Sequence, residues 1–154
     1  MDEEFLLCVY SEDSHRHAIL ADYGVTGILY LHGPSDDAGE TGEVEATCFA
    51  YNRIDPIDTK EVERYRPSPP PIAKGYASQD AVCRDPESHK WNLEFSMDGT
   101  AVRLMRDGKP WAMVSLENPR GFSKAIEAPG PWGSPWSNEV HRATEWGGRT
   151  RRCT

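Results

Sequence analysis

Two Asp-Gly dipeptides, Asp98-Gly99 and Asp107-Gly108, stand nine residues apart inside the stretch 91–116. Asp-Gly suits a two-residue hairpin turn, because both central residues of a type I′ turn need positive φ. Apolar and polar residues alternate on either side of each turn, the signature of a half-buried strand. With the turns placed, the register follows by counting. Across the first turn Phe95 faces Val102, Leu93 faces Leu104 and Glu94 faces Arg103. Across the second, Leu104 faces Trp111 and Val102 faces Met113. Trp91, Leu93, Phe95, Val102, Leu104, Trp111 and Met113 then share one face of a three-stranded antiparallel meander. The other face carries Asn92, Glu94, Ser96 and Arg103, with a cross-strand Glu94–Arg103 ion pair. A slip of one residue would scatter the apolar side chains over both faces. Ala112, Val114 and Leu116 give the third strand a second apolar face, so cover is expected on both sides of it.

The N-terminal part also reads as strands. Residues 5–10 are apolar on both faces, which suits a central strand. Residues 17–22 and 26–32 flank Tyr23-Gly24, a turn that places the glycine at positive φ. Residues 43–52 form a further run rich in β-branched and aromatic side chains. Between these runs, 32–42 is a polar loop with three glycines and the pair Asp36-Asp37. Past residue 52 the pattern changes. Asp58-Thr59-Lys60-Glu61 has the spacing of a capping box, with Asp58 as N-cap. The helix it opens ends by Tyr65, because Pro67 disfavours helical geometry at Arg66. Residues 66–72 form a polyproline-like connector, in which Pro67 and Pro70 give a P-x-x-P spacing. A second short helix is expected at 78–83. A last one is expected at 137–146, with Ser137 as N-cap and Val140, Ala143 and Trp146 at helical spacing.

The expected fold is therefore mainly β: an antiparallel β-sandwich or one strongly curved sheet, with one to three short helices. With 154 residues, 38% of them hydrophobic, the chain has the size of one domain and hides roughly 70% of its unfolded surface on folding. Residues 1–148 read as a single β-rich domain and 149–154 as a disordered basic tail. The longest apolar run, 5–10, is far too short for a membrane-spanning helix. The acidic opening Met1-Asp2-Glu3-Glu4 has the wrong sign for a secretory leader, which points to the cytoplasm. Cysteines at 8, 48, 83 and 153 are never closer than 35 residues, so no C-x-x-C pair exists. Reduced thiols are expected in that compartment, with Cys8 and Cys48 inside apolar strands and Cys153 exposed.

The formal net charge of −8 is unevenly spread. Residues 1–63 hold 15 acids and three bases, a net of −12, whereas 64–154 hold 10 acids and 14 bases, a net of +4. Nucleic-acid binding needs a concentrated positive surface that releases phosphate counterions, and the acidic half works against it. A basic protein partner is the better match, because opposite potentials speed encounter and reject wrong partners. The candidate partner-binding set is Asp36, Asp37, Glu40, Glu43 and Glu45. In size, acidity and missing catalytic motif the chain is similar in general make-up to bacterial immunity proteins and small inhibitors. The leading expectation, from charge and the missing motifs, is a non-enzymatic acidic binding protein without a cofactor.

Two other readings carry chemistry. Trp132 and Trp136 flank a Gly-Ser-Pro spacer, and Trp146 follows ten residues later. Rings left exposed stack on sugars or anchor interfaces; buried ones close the Trp91/Trp111 face of the meander. His15-Arg16-His17 puts two imidazoles on one face of a strand, with Asp22 beyond them. This spacing resembles the H-x-H metal motif of the cupin family, which implies a metal-dependent enzyme using His15, His17 and Asp22. The chain departs from that family in lacking the upstream glycine and a second motif with a downstream histidine, and a metal needs three or four converging ligands. No G-x-S-x-G elbow is present, and Gly39-Glu40-Thr41-Gly42 lacks the lysine of a phosphate loop. Binding is expected ahead of enzyme activity.

Overall fold

The alternating runs become strands in the computed structural model, which describes residues 5–37 and 39–153. Among the described residues, ten strands make two five-stranded sheets. The first sheet contains β1 (Phe5–Ser11), β2 (His17–Asp22), β3 (Thr26–His32) and β4 (Val44–Asn52) in antiparallel succession. The second contains β5 (Trp91–Phe95), β6 (Ala101–Arg106), β7 (Lys109–Ser115), β8 (Phe122–Ser123) and β9 (Ser134–Pro135), in that order. Its last pair, β8 and β9, is parallel. A helix, α1 (Asn138–Ala143), follows, and β10 (Thr150–Arg152) returns to the free side of β1 in the first sheet.

The two sheets bury one shared core. Leu20, Leu29, Leu31 and Cys48 of the first pack with Leu93, Phe95, Val102, Leu104 and Val114 of the second. This is the sandwich-like arrangement expected from alternation with period two. Across β5 and β6 the pairing is the one counted from the sequence: Phe95↔Val102, Glu94↔Arg103 and Leu93↔Leu104. The Glu94–Arg103 pair forms at 2.7 Å from Nε.

The second hairpin departs from the count by one residue. Arg106 opposes Lys109 and Met105 opposes Pro110, but Leu104 opposes Ala112, so Trp111 is an extra residue in β7. A bulge of this kind leaves one residue unpaired and shifts everything beyond it to the other face. Ala112 and Val114 therefore enter the core, while Met113 passes to the outer face opposite Arg103. Trp111 stays buried because its indole Nε1 donates to the Ala50 carbonyl of the facing sheet at 2.6 Å. Cover on both sides of β7 is observed, with the face assignments exchanged. Leu116, expected under cover, is 40% exposed.

The middle of the chain is part of the core as well as a connector. Ile72, Ala73, Ala77, Ala81 and Cys83 are buried in it. Asn52 ties this segment to β4 by a two-way bond: its amide donates to the Ile72 carbonyl at 3.0 Å and accepts from the Ile72 N–H at 2.8 Å. The helix expected at 78–83 does not form. The Cys83 N–H bonds to the Asn52 carbonyl and Val82 bridges to Asn52, so strand-like partners replace helical ones. The capping box is also absent. Asp58 makes no side-chain cap and instead lies 3.6 Å from Lys74, and Thr59–Tyr65 is a 3₁₀ turn.

Two C-terminal expectations are corrected. Ser137 does cap α1, accepting from the Val140 N–H at 3.2 Å, but the helix stops at Ala143. Beyond it the Met97 N–H bonds to the Glu145 carbonyl and Ser96 bridges to Trp146, which draws the chain into extended geometry. The tail expected to be disordered holds β10, and Cys153 is joined to Cys8 with Cα atoms 5.5 Å apart. The thiols of Cys8 and Cys153 are thus oxidised, while Cys48 and Cys83 are free and buried.

Candidate functional site

The loop after β3 gathers the acidic residues singled out in the sequence. Its base is pinned on both sides. The Gly33 N–H bonds to the Glu43 carbonyl at 2.7 Å and His32 Nδ1 to the Gly42 carbonyl at 2.9 Å. Further along, the Ser35 N–H bonds to the His15 carbonyl, and the Tyr10 hydroxyl donates to the Ser35 carbonyl at 3.1 Å. Tyr10 is a buried residue of β1, so the first sheet itself holds the loop in place. Asp37 orders the turn by accepting from the Gly39 N–H at 2.8 Å, a local side-chain bond typical of Asp in turns.

Asp36, Asp37, Glu40, Glu43 and Glu45 are all exposed. Glu45 is partly neutralised by Arg16 at 2.7 Å. The other four have no ion-pair partner among the described residues. Elsewhere in the first half, Glu12, Asp13, Asp22, Asp55, Asp58, Glu61 and Glu63 each pair with a cation. Among the described residues, the loop is thus where the acidic half keeps its charge unspent. Val44, between Glu43 and Glu45, is 50% exposed and adds an apolar contact.

The metal set does not assemble. His15 precedes β2 in a turn, at φ 61°, and bonds the Tyr10 hydroxyl at 2.9 Å. It therefore does not share a strand face with His17, which is buried in β2 with its ring 4.9 Å from that of Tyr10. Asp22 lies at the far end of β2, five residues and about 16 Å from His17 at strand rise. There it accepts from the Tyr51 hydroxyl, Arg53 Nε and the Gly24 N–H at 2.6, 2.8 and 2.7 Å. Burial and the Asp22 carboxylate push the Tyr51 hydroxyl far above its ordinary value, so it stays a donor. Among the described residues no three His, Cys, Asp or Glu side chains converge to hold an ion. Burial also raises both free thiols, Cys48 and Cys83, away from the thiolate form that a nucleophile needs.

The tryptophans divide. Trp132 is buried, its ring against Tyr76 and its Nε1 donating to the Pro70 carbonyl at 3.4 Å. It closes the core. Trp136 is half-buried and begins a ladder of rings, with His141 at 5.2 Å and then Trp146 at 5.6 Å. Lys124 lies over Trp136 and Arg103 over Trp146, while Arg103 also reaches His141 Nε2 at 2.8 Å. Burial, and then the charges of Arg103, Lys124 and Arg142, lower the His141 pKa, so the ring stays neutral near pH 7. The protein's own cations occupy the faces that a ligand would stack on. The five-residue spacing of Trp136, His141 and Trp146 is a sequence signal for this ladder that inspection of the tryptophans alone misses.

No family model, curated protein or solved structure matches this chain. Among the described residues no helix is long and apolar enough to cross a membrane.

Proposed function

We propose that this protein is a non-enzymatic binding module, inhibitor- or immunity-like in type, which uses the acidic loop after β3 to cover a basic surface on a protein partner. The observation that carries this reading is the contrast in pairing. Among the described residues, most carboxylates of the first half are neutralised by cations, whereas Asp36, Asp37, Glu40 and Glu43 are exposed, have no ion-pair partner and are held on a loop anchored to the sheet. Charges held in place before encounter reduce the ordering cost of binding and steer association.

The cross-link also supports a reading of where the protein acts. Cys8–Cys153 favours a compartment where disulfides persist over the cytoplasm expected from the sequence.

The test uses a partner captured at low salt and then purified. Its affinity for the protein is expected to fall steadily as salt rises. Asp36→Lys combined with Asp37→Lys is expected to weaken it at least about tenfold, each tenfold step being about 1.4 kcal/mol. Equal affinity for the wild type and the double variant overturns the assignment.

A further inference from the structure

A second set of unpaired carboxylates lies on the outer side of the second sheet. A groove of about 500 Å³ runs between the β5–β6 turn, the end of β7 and α1. Met97 and Leu116, 55% and 40% exposed, line it. With Val44 they are the large apolar side chains most exposed among the described residues. Val140 and Ala143 of α1 complete the apolar part. Asp98, Glu117 and Glu145 stand on the same groove, none of them ion-paired among the described residues, and no lysine or arginine lines it.

The walls are tied together by backbone bonds. The Met97 N–H reaches the Glu145 carbonyl at 2.8 Å, and the Leu116 N–H reaches the Thr100 carbonyl at 3.1 Å. The groove therefore exists before any ligand arrives. Exposed methionine and leucine cost hydration free energy that a docked apolar group recovers, and three carboxylates around them reject acidic segments.

We propose that this groove is a separate docking site for an extended peptide segment of a partner protein, in which an apolar side chain sits between lysines or arginines. The apolar anchor contacts Met97, Leu116 and Val140, and the flanking cations meet Asp98, Glu117 and Glu145. The site lies on the second sheet, whereas the acidic loop stands on the first, so this proposal does not depend on the loop's role.

The probe is a capped hexapeptide, Lys-Arg-Leu-Leu-Arg-Lys, titrated into isotopically labelled protein and followed by amide shifts. The control replaces both leucines with glycine. Saturable shifts are expected at Met97, Leu116, Glu117 and Glu145, with the glycine control at least about tenfold weaker. Leu116→Ser, and separately Glu117→Lys with Glu145→Lys, are expected to weaken binding by a similar factor. These side chains are exposed, and an unchanged amide spectrum elsewhere confirms folding. Asp36→Lys with Asp37→Lys is expected to leave the groove shifts unaltered, which separates this site from the loop. Shifts confined to 36–45, or equal binding of the leucine and glycine peptides, overturn the proposal. So does concentration-dependent self-association abolished by Leu116→Ser, which assigns the groove to a second copy of the chain.

Discussion

Gly27 shows how one residue permits a buried polar cluster. It stands opposite Tyr51 in the β3–β4 pair, and a Cβ there would clash with the Cζ and Cε atoms of the Tyr51 ring. The missing side chain lets that ring lie flat enough for its hydroxyl to reach Asp22 at 2.6 Å, while Arg53 closes the other side of the carboxylate at 2.8 Å. A buried charge is tolerable only when paired and hydrogen-bonded, so ring, carboxylate and guanidinium act as one unit. Gly27→Ala is expected to destabilise the protein by about 1–3 kcal/mol, the usual range for overpacking. Urea unfolding checks it; an unchanged midpoint would mean that the ring moves aside without loss. In the sequence Asp22 reads as a metal ligand because it follows the His15-Arg16-His17 motif as a downstream carboxylate. Its structural partners, Tyr51 and Arg53, are about thirty residues away in sequence, beyond the reach of motif spacing.

At the level of elements, the two Asp-Gly turns differ. Asp107 and Gly108 both have positive φ, at 52° and 81°, as a two-residue turn requires. At the first turn only Gly99 does, at 74°, and the connection is a wider loop closed by the Ser96 N–H on the Ala101 carbonyl. Asp98 organises that loop by accepting from the Thr100 N–H, the Ser96 hydroxyl and the Thr100 hydroxyl at 3.0, 2.8 and 2.8 Å. Those bonds, the Thr100 N–H foremost, hold its pKa below the ordinary 3.8. A carboxylate depressed in the native state adds stability that is complete above its unfolded pKa and is lost as pH falls through the native one. Asp98→Asn is therefore expected to flatten the dependence of the unfolding midpoint on pH as pH falls through and below the ordinary carboxylate range. Equal pH dependence in variant and wild type contradicts this role. The β5–β6 register was legible despite the different turn, because both turns bring Phe95 opposite Val102. The β6–β7 register was not. A bulge changes no composition and leaves alternation intact on each side of it, and only the bond from Trp111 to Ala50 reveals which face the ring takes.

For the molecule as a whole, the ends of the chain meet. β10 pairs with β1 through Val9↔Arg152, Tyr10↔Arg151 and Ser11↔Thr150, and Cys8–Cys153 clamps the pair across a sequence separation of 145. In the chain-entropy account a loop this long stabilises by about 4–5 kcal/mol. Reduction is expected to lower the thermal midpoint and to speed amide exchange at Thr150–Arg152 ahead of the central strands. An unchanged midpoint and unchanged exchange contradict that account. Rapid alkylation of the native source before extraction gives the companion measurement: two modified cysteines after denaturation mean the bond is present in the cell, and four mean it is not. The paired arginines of this end, Arg149 with Asp13 and Arg151 with Glu12, also neutralise acids of the first half. Within the first half this leaves the carboxylates without a cation, among the described residues, on the loop after β3.

The sequence by itself determined the β class, the strands from 5 to 52 and from 91 to 115, the Ser137 cap and the acidic loop. Each rests on period-two alternation, turn residues or charge within a few positions of one another. Only the tertiary structure decided the bulge at Trp111, the entry of 72–83 into the core, the pairing of β10 with β1, and which carboxylates stay without a cation. Those outcomes depend on contacts between residues tens of positions apart, whose free energy appears only when the two sheets close on each other.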